Sequence, residues 1–523
     1  MDAAKMACGS VDVTSASPGG DVPAMDVSRR WEAARTTRLN EAHWAGSTPA
    51  DTPLDVDIHE DLSTLRQRTR HEYHNNPHVE GCVATHAVDV VGAEGPRLEV
   101  ISDNDNFNNR VEAYWREWSE ICDYTGQMGL PELLQTRVRQ YWFDGNHVSQ
   151  DTNAKRTSTR FQAWDFPSTY RIHDITPTRM QTPFAMMGDA SVAFGIRRDD
   201  DGVPLTYYFQ KRKPHGASWL QTGEFEQVDA QFVDHNFLHH DPEQSIGYPL
   251  LSSALDTIAQ IRDYDTHVMD AADLAASMSG WFVNRDPDGE KFQATNNDGD
   301  PIGFSVAEKR RVMRASPNGW DVVFPPSNQP TAEYVGHRKE RQAEIGRAAA
   351  MPLMLIRLDS SGHNYSSARF DSGNYRRQLQ NWQSWIARRS LFPMVRILVR
   401  DLQLAGELRR PPRGVRYVFH WDPPAEVDPM KSRGEEKIGL GNKTLSFHEA
   451  CLRNGKDEDA VLASWSRTYR KLEAQGFTPE QIAVFMASWS MGKLPGMTGT
   501  GNNAAASAEQ SPAGSSGVPN AAR

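Results

Sequence analysis

Apolar residues recur along this chain with two different periods, and the changes of period divide it into regions. Over residues 61–76, Leu62, Leu65 and Tyr73 share one side of a charged stretch. That predicts a helix, stopped by Asn75, Asn76 and Pro77. A mostly apolar run, residues 79–91, ends at Gly92. Tyr114, Trp115, Trp118 and Ile121 stand at helical spacing and predict an amphipathic helix over 110–122. From Trp142 to about His240 the period shortens to two. Brief alternating runs, broken by turns such as Asp144-Gly145 and Asp200-Asp201-Gly202, predict a β-rich region.

The long period returns at Tyr248. Residues 249–279 contain no glycine or proline after Pro249, and Leu251, Leu255, Ile258, Ile261, Val268, Ala272 and Ala275 mark mostly three- and four-residue steps. This predicts a helix of about 30 residues, roughly 45 Å long. A turn-rich insert (280–330) separates it from a second, strongly charged helix over 331–350. A loop, 351–365, then leads into a third long helix from about Ser366 toward Gly406. Two long helices bracketing an insert, with a loop and a further helix behind them, are the most informative coarse feature of the chain.

Composition adds limits. The 523 residues allow two to four domains, and 38% hydrophobic with 24% charged residues suits a soluble chain. No apolar run approaches a membrane span, so no membrane partner is expected, and the first residues lack the apolar stretch of a secretory signal. Synthesis in the cytoplasm is the corresponding expectation. Residues 1–50 and the tail from about 495 are poor in large apolar side chains, which predicts flexible ends. Cys8, Cys82, Cys122 and Cys451 are scattered, which predicts reduced structural thiols. The formal net charge of −11 argues against tight, static gripping of nucleic acid, because released counterions supply much of that affinity. It leaves room for DNA passing along an acidic wall that repels phosphate.

Motifs for chemistry do not complete themselves. In residues 434–444, Asn442 separates Gly441 from Lys443, so the lysine falls one place late for a phosphate loop. Asn284, Asp286, Asp288 and Gly289 copy the start of a calcium loop, but Thr295 stands where a bidentate carboxylate is needed. His235, His239, His240 and Asp241 resemble a metal fragment without a second cluster. Ser366 and Ser367 lack the surroundings of a nucleophile and read as helix N-caps, or as part of a functional loop before them. Basic residues gather at Lys309, Arg310, Arg311 and Arg314 in the insert. They gather again at Arg338, Lys339, Arg341 and Arg347 on the second helix, among Glu340 and Glu344. The helix cluster reads either as a solvated face with i,i+4 pairing or as a contact with a neighbouring copy.

Several stretches, in order from Trp44 to about Gly476, resemble the lambda-type family of phage portal proteins. The run 61–92 carries the family's arginine-rich helix, its Asn-Asn-Pro stop and its Val-Val-Gly end. Trp115 to Trp118, Asp123 with Gly126, and Asp144-Gly145 follow, though Asn146 stands where the family usually has an acidic residue. Gly195-Ile196 through Gly202-Val203-Pro204-Leu205 and Tyr207 is similar to a family hairpin. His239, His240 and Gly247 match its approach to the first long helix, with Ile246 in place of the family's arginine. Most specific is 359–369, DSSGHNYSSAR, which matches the family's loop and helix start almost residue for residue. Trp421, Asp428-Pro429, Lys431 and the stretch 439–449 resemble its C-terminal signature.

The resemblance implies an α+β portal fold with wing, stem, clip and helical crown, assembled as a ring with a central channel. Residues 1–50 would be a flexible arm, 51–247 the wing, and 248–279 and 331–350 the two stem helices around a clip at 280–330. Residues 351–365 would form a tunnel loop, 366–430 the long helix and its return to the wing, 431–494 the crown and 495–523 a disordered tail. The implied function is the portal vertex of the virion: a conduit for double-stranded DNA, with no catalytic residue, cofactor or metal. Implied partners are further copies of the chain, with a dodecamer expected, the large terminase, a head–tail connector and the capsid or scaffolding protein. In the tunnel loop, Arg357, Asp359, Ser360, His363 and Asn364 would face DNA; Lys309, Arg310, Arg311 and Arg314 would dock partners on the clip. The alternatives are a packaging-associated nuclease or protease and an adaptor without a conduit.

Overall fold

Asn76 ends one helix and begins the next. Its backbone N–H closes onto the Glu72 carbonyl, while its side chain accepts from the His78 N–H across Pro77, which has no N–H to lose. The predicted stop is therefore a joint between two helices. The computed structural model describes residues 53–154, 166–215, 218–277, 281–284, 320–323, 332–348, 350–422, 429–454, 456 and 458–483. Short helix α1 (Leu54–His59) leads into α2 (Leu62–Asn75) and α3 (Pro77–Val91). On α3, Val79, Cys82, Val83, His86, Ala87, Val90 and Val91 are buried, which is the apolar run predicted to end at Gly92. Gly92 takes φ +82°, and a Cβ there would lie 2.6 Å from the Asp422 carboxylate.

Strand β1 (Arg97–Ile101) precedes the tryptophan helix α4 (Asp105–Ile121), which begins five residues earlier than predicted because Asn104 caps it by accepting from the Phe107 N–H. Trp118 is fully buried and donates Nε1–H to the Tyr170 carbonyl. Helix α5 (Leu130–Phe143) was not anticipated, although Leu130, Leu133, Leu134, Val138, Tyr141 and Trp142 are buried at helical spacing.

The β-rich region forms two antiparallel sheets. Strands β2 (Asn146–Asn153) and β3 (Tyr170–Ile175) belong to the first, with β2 central. The second is a meander of β4 (Val192–Ala193), β5 (Ile196–Arg198), β6 (Pro204–His215) and β7 (Ser218–Asp229), after which β8 (Val233–Phe237) returns to pair with β2. Arg137 on α5 reaches the first sheet. Its buried guanidinium pairs with Asp174 at 2.8 Å and lies 3.7 Å from Asp234.

The first long helix starts with a 3-10 turn, Leu250–Ala254, and continues as α6 (Leu255–Ser277). Strands β9 (Trp281–Asn284) and β10 (Trp320–Val323) form an antiparallel pair within the insert. Helix α7 (Ala332–Ala348) then runs back along α6: Tyr334 and Arg338 meet Asp265, while Ile345 packs with Leu251, Ala254 and Ile258 at the base. A five-residue helix α8 (Leu353–Arg357) follows, then α9 (Tyr365–Ile386), a π-helical turn at Ala387–Leu391, and α10 (Phe392–Leu404). Strand β11 (Arg416–His420) pairs antiparallel with β1, more than 300 residues away in sequence, and so closes the largest core.

Further helices follow, among them α11 (Pro429–Gly441), α12 (Phe447–Arg453) and α13 (Glu458–Ala474). They reach the β1–β11 pair through His448, which lies 3.4 Å from Glu99 and 2.9 Å from Glu458, while Glu99 also meets His420 at 2.5 Å.

Candidate nucleic-acid interface

The loop behind α7 is only partly a loop. Residues 351–365 were expected to be irregular throughout, but Leu353–Arg357 make a helical turn because Met351 and Ile356 are buried in the main core and anchor its two ends. Gly346 of α7 permits the approach: a Cβ there would stand 2.7 Å from the Met351 carbonyl oxygen and collide with the Ile356 side chain. The Met351 N–H closes onto the Gly346 carbonyl at 2.8 Å. Leu358 stops the turn in the left-handed region at φ +48° and stands 78% exposed.

Past that stop the backbone is organised by side chains. Asp359 Oδ1 accepts from the Ser361 N–H at 3.0 Å and from its hydroxyl at 2.6 Å, an Asx-turn. These bonds, helped by Arg357 and Lys339, hold its carboxyl below the usual carboxylate range. The Arg357 guanidinium sits 3.5 Å from Asp359. The His363 N–H returns to the Ser360 carbonyl at 3.1 Å. Asn364 then begins α9 by accepting from the Ser367 N–H at 2.8 Å. This corrects the expectation that Ser366 or Ser367 caps the helix: both lie inside it, and the amide oxygen of Asn364 satisfies the orphan donor.

The structure thus brings Arg357, Asp359, Ser360, His363 and Asn364 into one short projection whose outer residues, Ser360, Ser361, Gly362 and Asn364, are exposed. Its tip offers hydroxyl and amide groups, with the half-buried His363 imidazole beside them, and the Arg357–Asp359 ion pair is internal. Such a surface can touch a phosphate backbone without gripping it. Lys309, Arg310, Arg311 and Arg314 lie outside the described residues, as do Asp286, Asp288, Gly289 and Thr295.

On α7 the basic cluster divides. Arg341 pairs with Glu344 on its own helix at 2.9 Å, whereas Arg338 bridges to Asp265 of α6 at 3.2 Å and to His78 at 3.0 Å. Burial, then the neighbouring Arg338, lowers the pKa of His78. The segment resembling a phosphate loop lies largely in α11, where helical bonds occupy the backbone amides that would have to cradle phosphate. His239 and His240 pack as rings, on Phe237 at 4.3 Å and Tyr248 at 4.9 Å between centroids. Among the described residues no group of His, Cys, Asp and Glu is arranged to hold a metal ion. Nor is any described helix long and apolar enough to cross a membrane.

A curated relative, the probable portal protein of Halomonas phage phiHAP-1, is 23% identical over 488 residues, covering 90% of this chain and 91% of its own. Among solved structures, the neck of an empty gene transfer agent particle is 15% identical, covers 79% of this chain and 96% of its own, and has a TM-score of 0.44. An HK97-family phage portal protein from Corynebacterium diphtheriae is 12% identical, covers 67% of this chain and 95% of its own, and has a TM-score of 0.29. The family model for phage portal proteins of the lambda family matches residues 40–383, which include α1 to α8 and the whole projection between α8 and α9, and the chain belongs to that family.

Proposed function

We propose that copies of this chain close into a ring, with twelve expected, whose axial channel carries double-stranded DNA into and out of the capsid. The carrying observation is the antiparallel pair α6 and α7, joined by the insert and followed at once by an anchored, polar projection. In this reading 248–279 and 331–350 are the stem, 280–330 the clip and 351–365 the tunnel loop. Residues 51–247 with 366–430 make the wing, and 431–494 the crown. The insert, with Lys309, Arg310, Arg311 and Arg314, docks the large terminase during packaging and the connector afterwards; the wing meets capsid or scaffolding protein.

The mechanism needs geometry rather than reactive groups. A cyclic ring repeats one heterologous interface. Twelve copies at −11 each carry on the order of −130 formal charges, so a duplex is repelled from most of the wall and slides. Transient contacts fall to Arg357, His363 and Asn364 on the projection. ATP hydrolysis belongs to the separate motor.

Negative-stain electron microscopy with mass measurement in solution tests this directly. Rings of roughly 700 kDa with an open axial hole are expected, twelve times the 58.6 kDa subunit. A stable monomer or dimer would overturn the reading. Deleting residues 360–364 should impair packaging or DNA retention while leaving rings intact; normal packaging and retention by that variant would remove the loop from the mechanism.

A further inference from the structure

The net charge of −11 conceals a strong segregation. Residues 53–154 hold eighteen carboxylates against eight arginines and no lysine. Residues 365–420 reverse the balance, with eleven arginines and no lysine against Asp371, Asp401 and Glu407. All eleven arginines are exposed. Two of the three carboxylates are already engaged: Asp401 accepts from Ser168 and Thr169, and Glu407 from Arg110 and Tyr114.

The arginines follow a line. Tyr375, Leu379 and Ile386 turn one side of α9 into the core, and Met394, Val395, Leu398 and Leu402 do so on α10. The π-helical turn between them inserts a residue and brings the two buried stripes into register. Arg376, Arg377, Arg388, Arg389, Arg396 and Arg400 therefore stay on the outer side along about 36 Å of helix, at 1.5 Å per residue. None of the six pairs with a carboxylate among the described residues. From Arg376 to Arg400 every exposed residue is Arg, Gln, Asn or Ser, except Pro393.

We propose that the outer face of α9 and α10 binds the phosphate backbone of double-stranded DNA, independently of sequence. A protein partner would call for an apolar centre within a polar rim; between Arg376 and Arg400 this face has none, and the exposed Phe370 and Leu404 lie beyond its two ends. It offers hydrogen-bond donors and fixed positive charge over a length that spans many phosphates, the composition that positions a protein on a duplex without reading bases. The proposal rests on the portal reading for its biological setting, not for its chemistry. It assigns DNA affinity to a helix face separate from the projection between α8 and α9, so the chain would both let a duplex slide and hold one.

The test is fluorescence anisotropy of a labelled 30-base-pair duplex of arbitrary sequence with the full-length protein as purified, across a salt series, with oligomer mass measured in parallel. The parent should bind, with log affinity falling linearly in log salt. Changing Arg376→Gln, Arg377→Gln, Arg388→Gln and Arg389→Gln together should weaken binding on the order of tenfold or more. The magnitude of the salt slope should fall by roughly 3 to 4, at about 0.9 for each phosphate no longer neutralised. The matching four-lysine variant should retain binding. A parent that does not bind duplex, or a glutamine variant with unchanged affinity and slope, would overturn the proposal. So would a glutamine variant that loses its oligomer while binding DNA as before, which would make the face an interface between copies. Open rings that bind no duplex would end this proposal and leave the conduit standing. A monomer that binds with the expected slope would do the reverse.

Discussion

His86 shows how a single side chain ties the helices together. It is buried on α3, and its Nδ1 accepts from the Trp142 indole N–H at 3.0 Å; Trp382 and Tyr375 rings surround it. Accepting at Nδ1 leaves the proton on Nε2, so the ring is neutral, and burial drops its pKa from 6.5 to about 4. The sign follows from linkage. Between pH 6.5 and 4 the unfolded chain takes up a proton that the folded chain refuses. This contribution to stability is complete above 6.5 and is lost as pH falls toward 4, in total roughly 3 kcal/mol. Asp234 works in the opposite sense, since burial raises its carboxyl to about 6 against the pull of Arg137. Its stabilising effect is full below its ordinary value near 3.8 and is lost as pH rises through 6. A comparison of variants separates the two. His86→Gln keeps an acceptor for Trp142 but does not titrate, so its urea midpoint should fall less than the parent's between pH 6.5 and 4.5. Parallel curves would show that His86 does not carry the effect.

At the scale of elements, the joint between the first sheet and the long helix rests on two glycines and an amide. Gly145 has φ +76°, and a Cβ on it would collide with the Tyr248 backbone. A Cβ on Gly247 would collide with the Gly145 carbonyl. Between them the Asn146 amide donates to the Gly247 carbonyl and accepts from its N–H, both at 2.8 Å. Two of the departures from the family pattern, Asn146 and Ile246, lie at this joint, and each puts an uncharged side chain there. An acid at position 146 would only accept; the amide does both. Asn146→Ala should cost about 3 kcal/mol in urea unfolding, since it strands two buried backbone groups. A loss below about 1 kcal/mol would mean that the glycine packing suffices. The glycines were legible as turn signals, but their mutual contact was not, because it joins positions about 100 residues apart. Helix α5 is hidden for a different reason: its arginines and glutamines interrupt the apolar pattern, whereas Arg137 and Gln140 are in fact buried by partners in the sheet.

For the molecule as a whole, the helix pair stands on the N-terminal helices through a buried apolar cluster, Val79 and Val83 with Leu251, Ile258 and Ile345, flanked by charged contacts. Arg262 of α6 pairs with the buried Glu72 of α2, and Arg338 of α7 reaches His78 at the start of α3. Arg262 is about half exposed, which discounts the pair for solvent screening. Glu72→Gln should therefore cost only about 1 to 2 kcal/mol. Its effect should be local: faster amide exchange at the start of α6 with unchanged protection in β2, β3 and β8. A uniform rise in exchange would show that the base of the pair is not a separate unit. As a portal protein the chain is a virion component.

The order of helices, insert and projection could be read from the sequence, because hydrophobic period, proline and glycine act over a few residues. So could the family, because its marks are local runs such as residues 359–369. What the amino-acid order did not reveal depends on distant partners. Strand β11 finds β1 across the chain, a buried arginine is accepted only where carboxylates wait, and Asn364 rather than a neighbouring serine caps α9 because of the turn before it. The arginine face is the clearest case. Its residues are plain in the sequence, but net charge averages over the chain, and only the packing of α9 and α10 decides that all of those arginines point outward.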